Sequence, residues 1–337
     1  MPETEQTLNQ ISQDIEKIQT AVQQALPEHS SWPRAMHQFD DDSRYALRTA
    51  LATGRPLLLR GEPGVGKSQL ARAAAYALDR LFVYQVIDAH TESQDLLWRF
   101  DAVARLSEAQ ALQGVVAKNR QKVLDVMRFI SPGPVWWAFD WEDAGKVYSN
   151  SQYRLSKPEQ LERKNWQPTG SVLLIDEIDK ANLELPNALL ELLGNNALHI
   201  PHLNKTIGLK TATPPLVMIT TNEERELPLA FVRRCLVLHL DLPKDQSAFV
   251  DCLVARAQLH FEKACSKDIY QSAAELVFRE RERAQEKGLI YKPGQAEYLD
   301  LVKAIIVLGK NDRKQHKTML DSVSKFTLHK YPQMLGD

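Results

Sequence analysis

No run of ~18 consecutive apolar residues occurs in this sequence, so no membrane-spanning helix is expected. Nor does one sign of charge prevail: 42 basic residues face 43 acidic ones, a formal net charge of −1. That balance gives no global basic footprint for nucleic acid, although a local patch would escape such a count. Cysteine is scarce. Cys235, Cys252 and Cys265 are odd in number and widely spaced, which argues against a disulfide framework or a zinc site and suits the reducing cytoplasm. The opening MPETEQTLNQ is polar and acidic, so no secretory leader is expected there. What is present is 337 residues, 44% of them hydrophobic, enough for two domains with their own cores.

Residues 61–68 read GEPGVGKS and fit the phosphate-binding pattern G-x-x-x-x-G-K-[ST] at Gly61, Gly66, Lys67 and Ser68. The apolar run Pro56–Leu59 precedes it, and a helical pattern from Gln69 to Leu78 follows. Strand, glycine loop, helix is the setting the chemistry needs. Glycines let backbone N–H groups turn inward around phosphate oxygens, and the helix start adds the positive end of its dipole. The stretch Gly61, Glu62, Pro63, Gly64, Val65, Gly66, Lys67, Ser68 and Gln69 is therefore the candidate nucleotide cradle. Lys67 would reach the β- and γ-phosphates, and Ser68 would join a Mg²⁺ shell.

A second motif follows about a hundred residues later. Ser171 to Ile175 is an unbroken apolar strand of the kind buried on both faces of a parallel sheet, and it ends in Asp176-Glu177. Asp176 is the candidate Mg²⁺ carboxylate, and Glu177 the candidate base that polarises an attacking water. Taken alone, two acids at a strand end are solvated residues; beside a phosphate loop they point to hydrolysis. The strand from Leu216 to Thr220 runs into Thr221-Asn222-Glu223. If it lies between the loop strand and the acidic strand, Asn222 is positioned to sense the γ-phosphate; otherwise it is an ordinary turn asparagine. Arg233 and Arg234 precede another apolar strand. They are either solvated, or a cation delivered to a neighbouring subunit's γ-phosphate.

The apolar runs 57–60, 82–88, 171–175, 215–220 and 236–242 alternate with helical patterns or long connections, which predicts an open parallel sheet covered on both faces. From about 246 the pattern is wholly helical. Within residues 1–30, Leu8, Ile11, Ile15, Ile18, Val22 and Leu26 recur at three- and four-residue spacing. They predict an amphipathic helix, packed on its own domain or docked on a partner, with Pro27 and Pro33 marking a linker. The long connection 89–170 holds three of the six tryptophans in residues 131–141, as core filling or as a contact loop. Residues 143–168 are polar and read as a mobile excursion.

Taken in order, GRPLLLRGEPGVGKSQLARA, SVLLIDEIDKANLELPNALLELL, PLVMITTNEE and ELPLAFVRRCLVLHLDLP resemble the AAA+ ATPases, and within them the MoxR-like, dynein-related branch. The resemblance is strong over about 40–245 and weak beyond. It implies a P-loop αβα sandwich with a five-stranded parallel sheet, followed by a small all-helical lid. The expected division is a helix and linker at 1–38, a nucleotide-binding domain at 39–245 with an insertion at about 96–170, and a lid at 246–337. It further implies ATP with Mg²⁺, Asn222 as first sensor, and Arg234, with Arg233 second, as the arginine acting in trans. A β-hairpin is implied around residues 197–207, and Gly133-Pro134-Val135 corresponds to a Gly-Pro-hydrophobic segment. A hexameric ring acting as a chaperone on a client, such as one with a von Willebrand factor A domain, also follows by resemblance. Two departures stand out. Asp179-Lys180 replaces Asn-Arg after the acidic pair, and the helix start 291–297 carries no arginine for a second sensor, only Lys292. The rival readings are a nucleic-acid-directed AAA+ machine of a restriction or anti-phage system, a P-loop kinase, and a nucleotide-binding scaffold without turnover.

Overall fold

The computed structural model describes residues 2–112, 121–182, 184–187, 189, 197–208, 213–262, 264–310 and 313–330. The chain divides into two compact units. One comprises residues 1–60 and 68–239, the other residues 61–67 and 240–337.

The first unit is built on five parallel strands: β3 (Leu57–Arg60), β4 (Leu81–Val86), β7 (Ser171–Asp176), β10 (Leu216–Thr220) and β11 (Leu236–His239). Across the sheet they lie in the order β11-β3-β10-β7-β4. A parallel sheet with both faces covered demands continuous apolar strands, and β7 and β10 are buried at every position. The register sets Met218 opposite Leu57 and Ile219 opposite Ile175, so β3, β10 and β7 end side by side. Asp176 and Thr220 therefore emerge at one edge of the sheet. Helices α2 (Asp41–Thr53) and α3 (Lys67–Leu78) flank these strands in the chain, and β8 (Ala197–Ile200) pairs antiparallel with β9 (Lys205–Gly208) as the expected hairpin.

Three expectations change. Helix α1 runs only from Pro2 to Thr20, and the chain then turns into a hairpin of β1 (Gln23–Leu26) and β2 (Ala35–Gln38). Val22 and Leu26 thus belong to an extended segment that mimics helical spacing, and residues 27–33 are the hairpin's connection, closed by a bridge between His29 and Trp32. Arg72 of α3 ties that connection down. It donates to the carbonyls of Pro27 and Pro33 and lies over the Trp32 ring. Helix α1 packs on its own unit, because Ile18 is fully buried and Asp14 forms a buried ion pair with Arg80 at 2.7 Å.

The tryptophan-rich segment is core. The chain passes through α4 (Ser93–Leu97), β5 (Trp98–Phe100), α5 (Ala102–Ala111) and β6 (Ile130–Pro132), the last paired antiparallel with β5. Helix α6 (Pro134–Phe139) then buries Val135, Trp136, Trp137, Ala138 and Phe139. The approach requires glycine before it, since a Cβ on Gly133 would lie 2.6 Å from the Leu96 carbonyl. Residues 141–150 form helix α7 rather than an excursion. Asp140 caps it by accepting from the Asp143 N–H, and Ala144 and Val147 are buried. Farther on, the buried Gln160 accepts from the Phe82 N–H on the outer edge of β4. The polar residues of 141–150 are the solvated face of α7.

The second unit contains helices α9 (Gln246–Phe261), α10 (Lys267–Glu286), α11 (Gln295–Gly309) and α12 (Arg313–Thr327), the four-residue helix α8 (Leu229–Val232) belonging to the first. Phe249, Leu253, Tyr270, Tyr298 and Ile305 form its core, joined by Val65 from the glycine loop. Among the described residues no helix is long and apolar enough to cross a membrane.

Candidate functional site

At the end of β7, Asp176 accepts from the Ser68 hydroxyl at 2.7 Å and from the Thr220 hydroxyl at 2.6 Å. Ser68 lies in the first turn of α3 and Thr220 ends β10, so a carboxylate meets two hydroxyls from different elements. No lysine, arginine or histidine among the described residues forms an ion pair with Asp176. The next residue, Glu177, sits in the left-handed region (φ 61°, ψ 48°), which is uncommon for a side-chain-bearing residue and concentrates at functional sites. This turn lets the Glu177 N–H donate to the Thr220 hydroxyl at 2.8 Å. The Glu177 carboxylate is held on both oxygens, by the Asn222 side-chain amide at 3.0 Å and by the Lys180 ammonium at 2.6 Å. The hydrogen bond from Lys180 to Glu177 pushes the Lys180 pKa upward.

Asp179 completes the turn from the inside. It is buried and accepts from the backbone N–H groups of Asn222 at 3.2 Å and Glu224 at 3.0 Å. It therefore fixes the loop that carries Asn222. Thr220 and Asp179 were not among the sequence candidates. The signal for Asp179 was its departure from the family pattern; the signal for Thr220 was only its position at a strand end.

The glycine loop folds within the second unit. Gly61, Gly64 and Gly66 have φ of 139°, 79° and 104°, values that L side chains rarely adopt. A Cβ on Gly61 would lie 2.3 Å from the Leu240 carbonyl. Lys67 folds its ammonium back onto the loop, donating to the carbonyls of Gly61 at 2.6 Å and Glu62 at 2.9 Å. Val65 is buried in the helical core, and its carbonyl accepts from Arg256 at 3.4 Å. The Glu62 carboxylate pairs with Arg281 at 2.7 Å. Gln69, just past the loop in the first unit, spends its amide on the Met36 carbonyl of β2 at 3.2 Å. Lys292 lies in the non-helical stretch before α11, half-buried.

Arg233 and Arg234 follow α8 with exposed side chains. Their backbone is fixed from below: Arg55 donates to the carbonyls of Arg233, Arg234 and Cys235 at 2.6, 3.2 and 3.2 Å. Burial pushes the Cys235 thiol pKa up to about 11, so it stays protonated. Groups of three or more His, Cys, Asp or Glu side chains able to hold a metal by themselves do not occur among the described residues.

A nucleotide-type glycine loop, an acidic strand end on a five-stranded parallel sheet and a helical unit define a P-loop ATPase of the AAA+ class. Residues 56–235, a little over half of the chain, match the family described as AAA domain (dynein-related subfamily), and the chain belongs to that family. Among curated proteins none matches the sequence. Solved structures with a similar course include a candidate ATPase from Cytophaga hutchinsonii, at 16% identity and TM-score 0.39, with 97% of this chain and 88% of that one covered. Two RuvB structures from Thermotoga maritima are also similar. One, a point mutant, aligns at 15% identity and TM-score 0.43, over 84% of this chain and 68% of that one. The other, described as the Holliday junction branch migration motor, aligns at 14% identity and TM-score 0.40, over 84% of this chain and 67% of that one.

Proposed function

We propose that this chain is an ATP-hydrolysing remodeller of the MoxR type, working as a ring, most simply a hexamer, on a client protein. The observation that carries this reading is the bond between Ser68 and Asp176, which joins the last residue of the glycine motif to the acidic strand end. A hydroxyl and a carboxylate with no ion-pair partner among the described residues are the hard oxygen donors that Mg²⁺ takes, so the residues fit that ion. When bound, Mg²⁺ would neutralise charge on the β- and γ-phosphate oxygens of ATP.

The chain's own residues supply the rest. The loop N–H groups and Lys67 bind the phosphates, and the Lys67 ammonium exchanges the Gly61 and Glu62 carbonyls for phosphate oxygens. Glu177 takes a proton from the attacking water as that oxygen bonds to the γ-phosphorus and the bond to the ADP oxygen breaks. Asn222 holds the Glu177 carboxylate and orients the water. Arg234, with Arg233 second, reaches a neighbour's γ-phosphate; their exposed side chains on a pinned backbone support that role. A client with a von Willebrand factor A domain follows from the MoxR resemblance, and the three unbridged thiols suit the cytoplasm.

The test is the mass of Glu177→Gln protein by light scattering, with and without Mg-ATP. A shift to six subunits on adding Mg-ATP is expected. A monomer under both conditions would overturn the shared-site ring.

A further inference from the structure

Residues 291–297, which lead into α11, contain no arginine. The structure brings an arginine to that place. Arg281, near the C-terminal end of α10, extends its guanidinium to the start of α11, donating to the Pro293 carbonyl at 3.2 Å. Its other terminal nitrogen pairs with Glu62 of the glycine loop at 2.7 Å. The loop and α11 also touch directly: a Cβ on Gly64 would lie 2.8 Å from the Ala296 Cβ. Arg281 thus bridges the glycine loop and the helix start that lacks an arginine of its own.

The chemistry of the pair is unusual for its location. A carboxylate one residue into a loop that binds a polyanion opposes its ligand unless a cation covers it. Arg281 is that cation. Its side chain is 18% exposed and Glu62 is 40% exposed, so the pair is partly solvated and costs little to separate. A guanidinium meets phosphate and carboxylate alike through two parallel N–H donors, and a triphosphate carries more negative charge than one carboxylate, so it is the better partner. Arg256 also reaches the loop, but on the Val65 carbonyl at 3.4 Å, and it forms no ion pair among the described residues.

We propose that Arg281 is a nucleotide-responsive positioning cation, held on Glu62 between turnovers and handed to the γ-phosphate of ATP. This rests on the glycine loop binding ATP, as argued above. Glu62 is then a resting counter-ion that competes with the nucleotide. The two residues act in opposite directions on affinity, although they form one ion pair.

That opposition is the test. Affinities for Mg-ATP and Mg-ADP are measured by calorimetry on the full chain carrying Glu177→Gln, alone and with Arg281→Gln, Arg281→Lys or Glu62→Gln. Arg281→Gln is expected to weaken ATP about tenfold, the scale of one charge-assisted hydrogen bond, and ADP much less. Arg281→Lys, which keeps the charge but loses the fork, falls between. Glu62→Gln is expected to tighten ATP by a few-fold, in keeping with the loss of one opposing charge. If both Gln variants weaken ATP and ADP equally, the pair is a structural pin and the proposal is wrong. If neither changes affinity, Arg281 does not meet the nucleotide and the proposal is equally wrong. A parent protein that binds no Mg-ATP would sink the loop's nucleotide role itself, a result distinct from either.

Discussion

Strand β7 carries a buried carboxylate cluster at each end, and the two are built differently. Beside its first residue, Asp14 is paired with Arg80, which also donates to the carbonyls of Ser171 and Pro214. At its last residue, the Asp176 carboxylate accepts from the hydroxyls of Ser68 and Thr220 and forms no ion pair among the described residues. A buried charge is expensive unless an opposite charge or several hydrogen bonds compensate it. The first end is compensated within the chain and serves as an anchor for α1. The second is met by hydroxyls and by no ion-pair partner among the described residues, the kind of oxygen donor set the proposed Mg²⁺ site would use. The partner, and not the burial, separates structure from site.

The largest effect is expected at the anchor. Asp14→Ala leaves the Arg80 charge buried without its partner and should cost about 3–5 kcal/mol in denaturant unfolding. The double change Asp14→Leu with Arg80→Met should restore much of that loss. At the other end, Glu177→Gln should cut ATP turnover by about a hundredfold or more while leaving nucleotide binding intact, because the proposed base goes and the proposed cradle stays. Tight binding with unchanged turnover would remove Glu177 from that role. A smaller effect is expected from Asp176→Asn: stability without ligand equal to or above the parent, with the Mg²⁺ dependence of ATP binding weakened about tenfold, the loss of one charged ligand. If Asp176→Asn instead unfolds the protein as Asp14→Ala does, the two ends are the same kind of feature and the distinction fails.

The smallest effect concerns His29, buried in the hairpin connection. Burial chiefly holds its pKa below the ordinary 6.5; Glu159 opposes this, while Arg72 and Arg163 add to it. The unfolded chain then binds the proton more readily than the folded one, so stability falls as pH drops through 6.5 toward the lowered folded value. His29→Gln should flatten that part of the profile in thermal melts across about pH 5 to 7. A variant with the parent's slope would assign the pH dependence elsewhere.

The parallel sheet was legible because strands covered on both faces must be apolar throughout, as 171–175 and 215–220 are. The glycine loop and the acidic pair stand out in the sequence because the chemistry proposed for them fixes residue type and spacing. Other features depend on what the fold juxtaposes. Thr220 reaches Asp176 only because β10 and β7 are neighbours in register, and Asp179 matters only once it holds the turn around Asn222. Arg281 lies on a helix far along the chain from Glu62. The β1–β2 hairpin was misread as helix because Gln23-Gln24-Ala25-Leu26 lacks β-branched residues and its apolar positions continue the helical spacing.

The hairpin has a practical consequence for anyone shortening this chain. Composition invites a cut after residue 38, at the apparent end of a helix and linker. Such a cut removes the Pro27 and Pro33 carbonyls that Arg72 serves and the carboxylate that neutralises Arg80, leaving two guanidinium groups in an interior made to receive them. The first of these arginines is on α3, the helix whose first turn holds Ser68, so a protein begun at residue 39 should lose ATP turnover along with solubility.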